Sequence, residues 1–229
     1  MYLELMKERY TLREKEQHKL NRVSMVGKVD KEFNFSHESF GEGFYKTTIL
    51  VDRLNDTKDR IPLVVSDRLL DLDSSYAGRK IALEGELRSY NQHTSVRAEG
   101  RPPMSVFVHN IRLLNGKEEK KAKEEDFINI EGFLCKPPVY RVTPLGRELT
   151  QLMVSVSRNY GKNDYIPCIC WGRDARFAAH FSMGDRVSIQ GRIQSRDYIR
   201  RTAQNETEKK TTYEVSVKRV AHFADKEEN

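Results

Sequence analysis

The sequence predicts an all-β fold with short helices: two tandem five-stranded Greek-key barrels, preceded by an N-terminal helix. Two observations carry this. The first is an internal repeat. "VSMVGKV" (Val23–Val29) parallels "INIEGFL" (Ile128–Leu134), and "RIPLVVSDR" (Arg60–Arg68) parallels "YIPCICWGR" (Tyr165–Arg173), both at an offset of 105. "GRKIALEGELRS" (Gly78–Ser89) then parallels "GDRVSIQGRIQS" (Gly184–Ser195) at 106, and "VFVHNI" (Val106–Ile111) parallels "VSVKRV" (Val215–Val220) at 109. Order is kept and the offset drifts only in loops, as a duplicated domain requires. The second observation is that both halves show the same run of local signals.

Residues 1–20 lack Gly and Pro and are rich in helix formers. Tyr2, Met6 and Tyr10 lie four apart on one helical face, as a capping helix needs. Each half then opens with a strand carrying a mid-strand glycine, Gly27 or Gly132, where a small barrel bends sharply. A turn-rich loop leads to a second strand, "TTILV" or "QLMVSV", and a charged turn to the third. Next comes a short helical stretch, "DRLLDLDSSYAG" or "RDARFAAHFSMG", stopped by Gly78 or Gly184. The fourth strand alternates as Ile81, Leu83, Gly85, Leu87 and as Val187, Ile189, Gly191, Ile193. A long polar loop precedes the fifth. Five strands with one helix between the third and fourth is the order of an OB-fold. An SH3-like barrel lacks that helix. The expected division is 1–20 helix, 21–116 first barrel, 117–125 charged linker, 126–223 second barrel and 224–229 tail.

Composition narrows the function. The chain has 229 residues and a net charge of +6. From Asp126 to His222 there are 16 Lys and Arg against 10 Asp and Glu, whereas Asn21 to Gly116 has 14 against 13. A surplus concentrated in one half, and largely arginine, points to a polyanion partner. Neither a signal pattern nor a membrane-length apolar run is present, so a cytoplasmic, nucleoid-associated protein without membrane contact is expected. Cys135, Cys168 and Cys170 form no disulfide framework, and a C-x-C pair without a second pair reads as small buried thiols rather than metal ligands. No cofactor and no metal are expected.

The stretch "DYIPCICWGR" has two faces at strand period. Ile166, Cys168 and Cys170 suit a core, whereas Tyr165, Ile169 and Trp171, the single Trp of the chain, point the other way. Unpaired bases stack on such rings at about 1–3 kcal/mol each, and the phosphates beside them need Arg or Lys. OB barrels bind strands across the outer face of their second and third strands and the adjoining loops. The residues expected to line that groove are Tyr140, Arg141, Arg147, Tyr160, Tyr165, Trp171, Arg173, Arg192, Arg196, Tyr198, Arg200 and Arg201. The plainer alternative, a half-buried core Trp, is opposed by its parity against Cys168 and Cys170.

The second repeat resembles the bacterial single-stranded DNA-binding protein family in "PVYRVTPLGRELTQLMVSVSRNYGKNDYIPCICWGRDA" and "MGDRVSIQGRIQSRDY". The resemblance implies stacking roles for Tyr165, Trp171 and Tyr198. In the first repeat the matched positions are Arg60 and Ser66, so its binding face reads as degenerate, although Phe44, Tyr45, Arg88 and Tyr90 remain. The family's acidic tip with a terminal Phe has no counterpart in "FADKEEN", which puts recruitment of replication or repair proteins in doubt. The family works as four barrels, so a homodimer of this two-barrel chain is expected.

The expected function is therefore non-enzymatic, largely sequence-independent binding of single-stranded DNA in replication, repair or recombination. RNA offers the same stacking faces and phosphates. The alternative is an accessory protein of replication restart or phage replication that works mainly through protein partners. A metal-dependent nuclease needs clustered carboxylates, and Asp164, Asp174, Asp185 and Asp197 are spaced at separate strand ends.

Overall fold

The computed structural model describes residues 21–53, 57–90, 103–158, 161–201 and 207–223, without the side chains of 200, 201 and 209. The expected N-terminal helix (1–20), the tail (224–229), Tyr160 and the side chains of Arg200 and Arg201 lie outside the described residues. The chain is mostly β with short helices. It divides into two compact units. The N-terminal unit comprises Val23–Phe127 together with Ile193–Val215, and the C-terminal unit is built on Ile128–Arg192 and the strand from Ser216.

The N-terminal unit contains β1 (Asn21–Val29), β2 (Asn34–Ser39), β3 (Glu42–Asp52), β4 (Lys58–Ser66), β5 (Lys80–Ser89) and β6 (Met104–Leu113). Neighbours run β3-β4-β6-β5-β1, and β1 returns to β3 through Lys28 opposite Leu50, which closes a five-strand barrel. β4 and β6 pair in parallel, whereas β1–β3, β1–β5, β3–β4 and β5–β6 are antiparallel. Val23, Met25, Ile49, Ile61, Leu63, Ile81 and Leu87 alternate inward along these strands and fill the interior. At Gly27 a β-carbon would lie 2.4 Å from the Leu50 carbonyl oxygen, so only glycine lets the two strands cross this closely.

The second half repeats the order with β7 (Glu125–Leu134), β8 (Val139–Val142), β9 (Glu148–Ser157), β10 (Asn163–Trp171), β11 (Arg186–Arg201) and β12 (Thr207–Phe223). Neighbours run β7-β11-β12-β10-β9, and β9 also pairs with β7 through Ser155 opposite Phe133. Small bonding details recur with the repeat. The Val29 N–H donates to the Arg79 carbonyl at 2.9 Å, and the Leu134 N–H to the Asp185 carbonyl at 2.9 Å. Gly78 and Gly184 adopt φ of 73° and 97°, as expected of helix stops, and their N–H groups donate to Val29 and Leu134 at 2.8 Å each. Asp59 pairs with Arg53, and Asp164 with Arg158, each through both carboxylate oxygens.

Three details differ from expectation. The helical stretch in the first half shrinks to one 3-10 turn, Asp67–Leu69, because the Asp71 carboxylate takes the Asp73 N–H at 3.2 Å and the Ser74 hydroxyl at 2.6 Å, competing with helix continuation. Its counterpart in the second half is a true helix, α2 (Arg173–Ala178), while the charged run starts as α1 (Gly116–Lys121), with no buried residue. The turn-rich first loops each contain an added strand, β2 and β8.

Candidate nucleic-acid interface

β9 and β10 pair without a break from Asn163 opposite Ser157 to Trp171 opposite Leu149. Thr150, Leu152, Val154 and Val156 on β9 and Ile166, Cys168 and Cys170 on β10 are buried, so the even-numbered side chains form the core, as the alternation predicted. The odd-numbered side chains form the other face. β8 extends it, placing Arg141 opposite Leu149 and Val139 opposite Gln151. Directly opposed residues share a face, so Arg141, Leu149 and Trp171 make one row across three strands.

Trp171 ends that row half-buried, and the Arg147 guanidinium carbon lies 4.9 Å from its ring centroid. Such a cation over an indole contributes about 0.5–1 kcal/mol at an exposed site. Arg141 and Arg147 have no carboxylate partner among the described residues. Arg173 follows two residues after the ring with its side chain 91% exposed. The β8–β9 turn is fixed by Gly146 at φ 74° and by the Arg147 N–H donating to Thr143 Oγ1 at 3.0 Å. It carries Leu145 at its tip, 87% exposed. Leu145 is neither a ring nor a cation, so the stacking-and-phosphate pattern does not mark it in the sequence. A leucine in the glycine turn "TPLGR" is the signal that finds it.

Two expected features sit differently. Pro167 and Ile169 share Trp171's parity yet are buried, Ile169 to 2% exposure, so the outer face of β10 is open only at its ends, near half-buried Tyr165 and Trp171. Tyr140 lies opposite Thr150 and therefore on the other face from Trp171. Its hydroxyl donates to Glu148 at 2.6 Å, and this bond holds the phenol above its ordinary pKa. Arg176 shares Glu148, also at 2.6 Å.

Half-buried Arg192 belongs to the C-terminal unit, whereas exposed Arg196 and Tyr198, the latter 38% exposed, belong to the part of β11 in the N-terminal unit. In that unit Asp59 accepts from the Ser195 N–H at 2.6 Å and from its hydroxyl at 3.1 Å, and Arg53 donates to the Ser195 carbonyl at 2.6 Å.

At the positions matched to Tyr165 and Trp171, the N-terminal unit has Arg60, ion-paired with Asp30, and buried Ser66, which caps the 3-10 turn. It has rings elsewhere. His37 stacks on Phe44 at 5.0 Å, Phe44 lies 5.8 Å from Phe107, and the Arg88 guanidinium covers Phe107 at 3.5 Å. These ring faces already have protein partners. Beside them, burial pushes the Glu86 carboxyl up, but hydrogen bonding to His109 and the charge of Arg88 outweigh it and hold it below its usual range.

Burial, with a contribution from Asp174, pushes the Cys170 thiol up to about 12, so it stays protonated and unreactive at neutral pH. Among the described residues there is no group of three or more His, Cys, Asp or Glu that could hold a metal ion, and no helix long and apolar enough to cross a membrane.

The strand order and the outward row of cation and ring define a small β-barrel protein of the OB type. The family model of the single-strand binding protein family matches residues 126–223. A single-stranded DNA-binding protein of Clostridium tetani is 39% identical over 74 residues, 29% of this chain and 51% of that protein. The chain thus spans about half the length of that relative. The wild-type single-stranded DNA binding protein from Thermus aquaticus superposes with a TM-score of 0.73 at 17% identity, covering 92% of this chain and 96% of that one. A deletion mutant of the Thermus aquaticus protein superposes at 0.69 and 16% identity, covering 90% and 96%. At these identities the likeness shows the fold alone.

Proposed function

We propose that the chain is two OB barrels in tandem and acts as a non-enzymatic, largely sequence-independent binder of single-stranded DNA in replication, repair or recombination. The row of Arg141, Leu149 and Trp171, with Arg147 over the ring, is the observation that carries this. A base stacks on Trp171 where Arg147 now lies, and Arg147 moves with Arg141 and Arg173 to the phosphates. Tyr165 supplies a second stacking surface at the far end of β10. Arg192, Arg196 and Tyr198 are proposed as further contacts along the strand. The C-terminal unit carries most of the affinity, because Arg60 and Ser66 stand where it has Tyr165 and Trp171, and the rings of His37, Phe44 and Phe107 are taken up by one another and by Arg88. Two chains associate to give four barrels, and the protein works in the cytoplasm with the nucleoid.

Titration with oligo-dT tests the proposal, because the single Trp reports one site. Quenching that saturates, and reverses on adding salt, is the expected result. No change in Trp emission at any oligo-dT concentration overturns it.

A further inference from the structure

A second cationic surface lies beyond the ring row. α2 begins at Arg173, directly after the Trp171–Gly172 pair, and packs on β9 and β10 through buried Ala175 and Ala178. Next to that start is a cavity of about 470 Å³ lined by Arg173, Asp174, Ser188, Gln190, Lys218 and Arg219. Every one of these residues lies within the C-terminal unit. Ser188 and Gln190 face outward on β11 because Val187 and Ile189 between and beside them are buried in the core. Lys218 and Arg219 follow buried Val217 on β12 and are both exposed.

The charge of this cleft is unbalanced. Three cations meet one carboxylate, Asp174, and that carboxylate already faces Arg173 at 4.0 Å. Lys218 and Arg219 have no ion-pair partner among the described residues. Like-charged groups converging on a concave surface raise the local concentration of an anion. Ser188 and Gln190 add neutral hydrogen-bonding groups beside them. The volume falls within the range of ligand-sized clefts, about 300–1,000 Å³. No stacking ring lines it. The chemistry selects a phosphate group and not a base.

We infer that this cleft is a phosphodiester track, in which Arg173, Lys218 and Arg219 hold the backbone of the single strand after it leaves Trp171. The inference rests on the proposed single-strand function and adds a direction to it. The strand turns off the β9–β10 face at Arg173 and continues over the outer face of β11 and β12. Arg173 is shared by both stretches, since it follows the ring by two residues and lines the cleft.

The experiment uses the full chain, wild type and the double variant Lys218→Ala/Arg219→Ala. Each is titrated with an oligo-dT of about 5 nucleotides and one of about 16, spanning the site sizes of single barrels. Trp171 emission is followed across a salt series. The short oligo should bind both proteins within about twofold. The long oligo should bind the variant several-fold more weakly, with a log–log salt slope shallower by about 1.4, for two phosphates at about 0.7 each. The charge-keeping variant Lys218→Arg/Arg219→Lys should restore the slope. The single variant Arg219→Gln should lose about half of the change, which keeps the test decisive should the double variant unfold. An unchanged slope on the long oligo overturns the track while leaving the Trp171 site standing. Equal loss on both lengths also overturns it, since a general field and not a path would then be at work. Loss of binding to poly-glutamate with unchanged DNA slopes would make the cleft a site for an acidic peptide, and would overturn the track too. Absence of quenching in wild type with either oligo removes the single-strand function itself.

Discussion

Trp171 is held in two ways, by the strand it closes and by Arg147 above its ring. Trp171→Ala should therefore weaken oligo-dT binding by about 1–3 kcal/mol, the range for one stacked base. Trp171→Phe should recover most of it. Because the ring is only half-buried, the thermal midpoint should fall far less than for a core deletion. Normal affinity with a collapsed midpoint would make the ring structural. Cys170 gives a second test at this scale. Its folded-state pKa is raised to about 12 from an ordinary value of 9.0, so folding favours the neutral thiol. That contribution is complete below about pH 9 and is lost as pH rises toward 12. Within that window each pH unit removes up to about 1.4 kcal/mol. Urea midpoints from pH 8 to 11 should fall more steeply for wild type than for Cys170→Ala, and parallel curves would contradict the assignment. Residue parity was legible in the sequence, since Ile166, Cys168 and Cys170 alternate cleanly into the core. The burial of Ile169 and Pro167 was not, because what covers a strand's outer face comes from distant segments.

At the scale of elements, the repeated Arg–Asp pair is the testable feature. Asp59 and Asp164 are both buried, and each takes a guanidinium on both oxygens. Removing the acid takes the counter-charge from a largely buried guanidinium, at a cost of about 3–5 kcal/mol. Asp59→Ala and Asp164→Ala should each lose about that much in urea unfolding, and a loss below about 1 kcal/mol would refute it. Asp59→Ala should in addition free the β11–β12 hairpin, because Ser195 hangs on that carboxylate. Hydrogen exchange at Ser195 and its neighbours reads this. The five-strand order was legible because glycines, alternation and turns recur at near-constant offset. β2 and β8 were not. β8, "VYRV", is exposed at all four positions, so it leaves no alternation to read, and its existence depends on pairing with β9. The first-half helix failed for a local reason, the Asp71 side chain.

For the whole molecule, the charge surplus of the second half governs binding strength. With several arginines on phosphates, log affinity should fall linearly with log salt by about 0.7 per phosphate neutralised. An affinity indifferent to salt would exclude the basic surface as the contact. Light scattering at micromolar concentration checks the proposed assembly, with twice the mass of one chain expected and a single-chain mass excluding it. The halves' kinship was legible from the repeat. Their unequal rings were visible only in part, since Arg60 and Ser66 marked what the first half lacks, but His37 and Phe44 lie outside the four matched segments, and Phe107 matches Ser216, which gives no hint of a ring.

The membership of Ile193–Val215 in the N-terminal unit has a consequence for synthesis on the ribosome. The chain is made from its N-terminus at about 5–20 residues per second, and domains generally fold as units once complete. The first unit's early strands emerge with residue 127, but the hairpin that caps buried Asp59 emerges only near residue 215. That interval is about 4–18 s. Through it, the early barrel waits with an incomplete partner set, and the order of emergence does not match the order of completion. Nascent chains stalled before Val215 should be cleaved by protease within Asn21–Asp59, and chains released past it should be protected there.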